Sequence, residues 1–172
     1  MHCKNLKFNK EIILDMKIFE TAGDIVELAE HEFGNTNLYQ MGINLKIMSV
    51  TKAKDILKVS RANATTEFIT KKSDMITLFV YEDAFDRLSD EYKEILMEGA
   101  FSNVSYDMEK EKLNLDNSRY GEFIRMRKKY PQYGDIIEAG DIVMAEIIEE
   151  EKQRKEEEKQ RKAASKKMNK GR

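Results

Sequence analysis

Zinc-dependent hydrolysis on a helix needs two histidines four residues apart, a glutamate beside the first, and a third ligand further along the chain. Only two histidines, His2 and His31, occur in this sequence. The stretch His31–Asn35 reads HEFGN, which opens like the zinc motif but closes on asparagine, with Gly34 interrupting the turn. A cation in the last turn of a helix complements the helix dipole, which accounts for His31 without a metal. The sequence has no Gly-rich phosphate loop and no serine elbow. Cys3 is the single cysteine; it excludes an internal disulfide and fits a reducing compartment. Asp83 and Asp86 read as turn and capping residues rather than an acid–base pair. The segment Arg125–Tyr133 (RMRKKYPQY) sets Arg125, Arg127, Lys128 and Lys129 beside Tyr130 and Tyr133. Those residue types can contact phosphate and stack on a base. The competing reading is the wet face of a helix, with Tyr130 packed at its end.

The elements that must carry these residues follow from periodicity. Ile25, Leu28, Ala29 and Phe33 recur at helical spacing, with Asp24 able to cap the start and Gly34 to end the helix, so a helix is expected near Asp24–Phe33. Ile43, Leu45 and Ile47 alternate, which predicts a strand over Ile43–Val50 with one face buried. The Thr-rich stretch Ile56–Thr70 suggests a second strand with a polar excursion. MITLFVYE, Met75–Glu82, is a near-continuous run of β-formers and is expected at the centre of the sheet. Ser89 can cap a helix near Asp90–Val104 that has Asp90 and Glu91 in its first turn. MEKEKLNL then reads as a short charged connection. Asp116 or Asn117 can cap a helix near Asn117–Lys129, with Tyr120, Phe123, Ile124 and Arg127 on one face. Pro131, the only proline, ends it. A last helix is expected from about Asp135, with Ile136, Gly140, Val143, Ile147 and Ile148 as its stripe.

Past Ile148 the apolar stripe stops. Six acids fall in Glu149–Glu158, and Lys159–Arg172 holds seven bases with no acid. Helix there rests on propensity and i,i+4 pairs such as Glu151–Lys155 and Glu158–Lys162. Much of the 36% charged content lies in this segment, while the net charge is only −2, so no global field favours nucleic acid. The expected organisation is an N-terminal arm (1–20), an α+β domain (21–148) built on a small mixed sheet of three or four strands, and a charged helical extension (149–172). The N-terminus is too charged for a signal peptide, and the apolar runs are too short for a membrane span, so a soluble intracellular protein is expected.

From Ile25 to Ile148 the order of features resembles that of small phage-encoded metallopeptidases of zincin-like fold. The resemblance rests on a helix, a strand, a Thr-containing strand, a hydrophobic strand running into VYEDAFDRLSDE, a helix that would carry HExxH, then YD…KL and an EF pair. Aligned on YD (Tyr106–Asp107) and EF (Glu122–Phe123), the resemblance places the first histidine at Gly99 and the glutamate at Ala100. It places the second histidine at Asn103 and a downstream histidine near Ser118. None of the four residues is a ligand of that kind, so the resemblance implies a catalytically inactive member with no zinc and no cofactor. Small residues at Gly99 and Ala100 read instead as sites of close helix packing.

The expected role is then a structural or protein-interaction component of a phage assembly, located in the virion or the host cytoplasm. Its partners would be other proteins of that assembly, without a membrane. The candidate interaction arm is Lys159, Arg161, Lys162, Lys166, Lys167, Lys170 and Arg172. The alternative is a nucleic-acid-associated phage regulator that uses Arg125–Lys129 and the same basic tail. A third reading, a hydrolase with an unrecognised metal site, is left for metal analysis to decide.

Overall fold

The computed structural model describes residues 18–19, 21–61, 75–116 and 118–170, with side chains omitted at 18–19 and 163–170. The fold is α+β, as the patterning predicts. A mixed sheet has the order β1-β2-β4-β3, from β1 (Ile18–Phe19), β2 (Asn44–Val50), β3 (Leu57–Arg61) and β4 (Met75–Val80). Strands β2 and β4 run parallel, while β1 and β3 are antiparallel to their neighbours. As expected of an apolar run, β4 is central, with Ile76, Leu78 and Val80 fully buried. The two-residue β1 belongs to the sheet, so the expected arm does not extend to residue 20; its earlier residues, His2 and Cys3 among them, lie outside the described residues. The Thr-rich excursion after Arg61 also lies outside them.

Helix α1 (Gly23–Gly34) starts one residue ahead of Asp24. Asp24 sits in its first turn rather than capping it, and the Ala22 N–H is taken up by Glu82 Oε1 at 2.9 Å. Phe33 on α1 meets Phe101 with ring centroids 5.5 Å apart. The short helices α2 (Asn37–Gln40) and α3 (Glu82–Phe85) flank the sheet strands. Helix α4 (Asp90–Ser102) is capped by Ser89, whose Oγ accepts from the Tyr92 N–H. It buries Ile95, Met97, Gly99, Ala100 and Phe101.

Two expectations fail just after α4. The helix stops at Ser102, and Val104–Asp107 is a strand, β5. The charged connection is itself half of a hairpin, because β6 (Lys112–Leu115) pairs with β5 antiparallel. The register sets Val104 opposite Leu115 and Tyr106 opposite Leu113, so one face is apolar while the other carries the charges. Helix α5 (Arg119–Lys129) follows. Its buried face is also not the expected one: Tyr120 and Ile124 are exposed, and Met126 is buried. Helix α6 (Tyr133–Lys170) begins two residues ahead of Asp135. It packs Tyr133, Ile136, Gly140, Met144 and Ile147 inward, whereas Ile148 faces out.

The body ends less abruptly than the stripe implies. Arg87 donates both guanidinium nitrogens to the Glu150 carboxylate at 2.9 Å, so the first turn past Ile148 is still fastened to the domain. Every described residue from Lys152 to Lys162 is exposed. Among the described residues, no helix is long and apolar enough to cross a membrane.

Candidate functional site

Helix α4 ends where the resemblance would place metal ligands, and three elements converge there: the β5–β6 hairpin, α5 and the start of α6. Gly99 is buried against Tyr133. A Cβ at this position would lie 2.5 Å from Tyr133 Oη and 3.3 Å from Glu122 Oε1. Any side chain larger than hydrogen must displace that tyrosine, which is itself fully buried. Ala100, one position on, is buried too, at the wall of a cleft. Gly99 is therefore a point of close approach between α4 and the start of α6.

From Gly99 outward the contacts form a chain of hydrogen bonds. The Tyr133 hydroxyl donates to Glu122 Oε1 at 2.5 Å, and the Asn103 amide donates to Glu122 Oε2 at 2.5 Å. Arg125 donates to Asn103 Oδ1 at 2.5 Å and to Asp116 Oδ2 at 2.7 Å. The other Asp116 oxygen accepts from the Ser118 N–H at 3.0 Å, and the Ser118 Oγ caps α5 by accepting from the Gly121 N–H at 3.1 Å. Gly121 has to be glycine for this: its Cβ would fall 2.5 Å from Asp116 Oδ2. The Asp116 N–H closes the hairpin on the Asn103 carbonyl at 2.8 Å.

The electrostatics follow from these contacts. Burial, then the bond to Glu122, pushes the Tyr133 phenol well above the usual tyrosine range and holds it protonated. The Arg125 guanidinium, aided by the Ser118 N–H, holds the Asp116 carboxyl below the usual aspartate range. At the C-terminal end of α5, Glu98 accepts from Lys129 at 2.7 Å and from the Tyr130 hydroxyl at 2.7 Å, and it raises the pKa of both.

Zinc does not fit this donor set. Gly99 and Ala100 offer no side-chain ligand, both ends of the Asn103 amide are engaged, and the Ser118 hydroxyl is a helix cap. Glu122 brings two oxygens, both already accepting hydrogen bonds. Among the described residues, no group of three His, Cys, Asp or Glu side chains could hold a metal ion. His31, exposed at the end of α1, bonds Glu32 at 3.0 Å. The residues the sequence reading missed are Glu122, known there only as half of the EF pair, and Tyr133, read there as a base-stacking residue. Pairing them needs contacts between helices that no local pattern carries.

Beside this network lies a cleft of about 320 Å³. One wall is the loop and edge strand from Lys54 to Val59, and the other is α4, α5 and α6. Its lining is mixed: Ile56, Leu96, Ile136 and Met144 contribute apolar surface, and Asp55, Lys58 and an Arg119–Asp141 ion pair at 2.5 Å contribute charge. Among the described residues, strand β3 has a partner on one side only and forms an edge of the sheet.

The four bases of the α5 segment are not equivalent. Arg125 and Lys129 are engaged in the internal bonds above, and Arg127 lies over the Phe123 ring at 5.6 Å. Lys128 is exposed. Tyr133 is fully buried and presents no face for a base. In the tail, Lys159, Arg161 and Lys162 are exposed on α6, and Lys162 pairs with Glu158 at 2.5 Å. Lys166, Lys167 and Lys170 continue the helical backbone, and Arg172 lies outside the described residues. Comparison of the chain with protein-family models, curated proteins and solved structures gives no match.

Proposed function

We propose that this is a non-catalytic, zincin-like phage protein that serves as a structural or interaction component of a larger assembly, in the virion or the host cytoplasm. The observation that carries the reading is the locked junction at Gly99, Tyr133, Glu122, Asn103 and Arg125. Of the four positions that the resemblance would give to zinc or its base, Gly99 packs on Tyr133, Ala100 is a buried alanine at the cleft wall, and Asn103 and Ser118 make internal hydrogen bonds. What is left beside the junction is a groove of mixed apolar and charged lining, with β3, an edge strand among the described residues, along one wall. Those properties suit an extended segment of a protein partner, held by main-chain pairing on β3 and by side chains in the groove. Binding without turnover is the function such a groove supports.

Selection of random peptides on the full chain tests this. Peptides should be retained by the wild type, lost on an Ile137→Trp variant that fills the groove with its melting temperature preserved, and recovered uncleaved. Cleaved peptides, or retention indifferent to the groove, would contradict the proposal. The alternative of nucleic-acid regulation through Arg125–Lys129 is less well supported, because Arg125 and Lys129 are already bonded to Asn103, Asp116 and Glu98.

A further inference from the structure

The helix beyond the body has an internal order that counting acids and bases by halves conceals. Residues 149–155 read EEEKQRK, and residues 156–162 repeat EEEKQRK without a change. Each heptad holds three acids and three bases, so each is neutral. The next ten residues, AASKKMNKGR, contain four bases and no acid. The charge of this region is thus a neutral rod followed by a basic stretch.

The repeat makes the rod self-supporting. Its second and third glutamates each precede a base by four residues, the favourable orientation for a helical pair. Lys155 lies 3.5 Å from Glu151 and Lys162 lies 2.5 Å from Glu158, with Lys152 3.4 Å from Glu149 across the other spacing. Lys152 and Arg154 in turn precede Glu156 and Glu158 by four, the less favourable orientation. Glutamate, lysine, arginine and glutamine all have high helix propensity, and neither glycine nor proline interrupts. The heptad has no apolar residue and so no seam for a coiled coil with a second copy. At its base, the paired bonds from Arg87 to Glu150 fix the direction in which the helix leaves the body.

We infer that Glu149–Lys162 is a rigid spacer, and that it presents the stretch containing Lys166, Lys167 and Lys170 to the phosphate backbone of a nucleic acid. Fourteen residues of helix set that stretch about 20 Å beyond the domain. A neutral rod gives a polyanion no reason to lie along it, so attraction concentrates at the basic stretch. An anionic membrane is the poorer match, since Ala163, Ala164 and Met168 are the only apolar residues there and none is aromatic. Nothing in the spacer depends on how the groove is used.

Two measurements on the full chain test this. Deleting residues 156–162 should shorten the maximum dimension in small-angle X-ray scattering by about 10 Å, with duplex DNA binding unchanged in fluorescence anisotropy. An unchanged dimension overturns the spacer. Lys166→Glu, Lys167→Glu and Lys170→Glu together should weaken binding to a labelled 30-base-pair duplex at least tenfold. The wild-type affinity should fall with salt at a log–log slope of about −3, as expected for three or four phosphate contacts. Binding that survives the charge reversal overturns the assignment of the basic stretch. Equal binding to phosphatidylserine vesicles overturns nucleic acid as its partner.

Discussion

The junction beneath α4 and the rod beyond Ile148 are both built from carboxylates facing cations, yet they are held by opposite means. In the junction, Glu122 and Asn103 are partly buried between elements far apart in sequence, and each contact is satisfied by a specific partner. Removing one member leaves a desolvated group unpaired. In the rod, Glu151–Lys155 and Glu158–Lys162 are neighbours on one helix in open water, where either partner can turn to solvent. The same residue types therefore define a unique tertiary arrangement in one place and only support a helix in the other. Burial, not charge, makes the difference.

Perturbations should separate the two regions in order of size. The largest effect is expected for Gly99→Leu, which drives a side chain into Tyr133. Overpacking of this kind costs about 1–3 kcal/mol, visible as a lowered melting temperature; an unchanged melt would mean that Gly99 lines open space. Tyr133→Phe comes next, because it leaves a Glu122 oxygen without its donor, a loss of about 1–3 kcal/mol. The two sites should be coupled. Gly99→Ala should destabilise the wild type but be better tolerated in the Tyr133→Phe background, and additive effects in the double-mutant cycle would break the proposed contact.

The pH dependence has a defined sign. The folded-state pKa of Tyr133 is raised above the ordinary value of 10.0, so its contribution is fully present below about pH 10 and is lost as the pH rises above that. Stability of the wild type should thus fall more steeply above pH 10 than that of Tyr133→Phe, as read from urea midpoints. Parallel declines would deny Tyr133 this role. The smallest effect is expected from the rod: removing Lys159–Arg172 should leave the melting temperature almost unchanged, and unfolding of the body would show that the helix is held by more than its own pairs.

Where local patterning is strong, the sequence was legible. The apolar run Met75–Val80 declared a central strand, and Ser89 ahead of two acids declared the start of α4. The hairpin was not legible, because Lys112 and Asn114 alternate with Leu113 and Leu115 over only four residues, which gives alternation little room to stand out. Helix α5 misled for a related reason. Tyr120 and Ile124 have the spacing of a buried face, but Glu122 and Met126 point inward, and a glutamate is inward only because Tyr133 and Asn103 wait for it. The positions Gly99, Ala100, Asn103 and Ser118 could be named from the sequence, whereas what they pack against depends on partners up to 34 residues away, as between Gly99 and Tyr133.

The junction at Gly99 is a packed lock, and we propose that the protein carries no zinc chemistry. Elemental analysis of the purified full chain, after incubation with zinc and exhaustive dialysis, tests it most directly. The account predicts far less than about one zinc per chain, with Gly99→Leu changing stability but not metal content. About one zinc per chain surviving dialysis would contradict it.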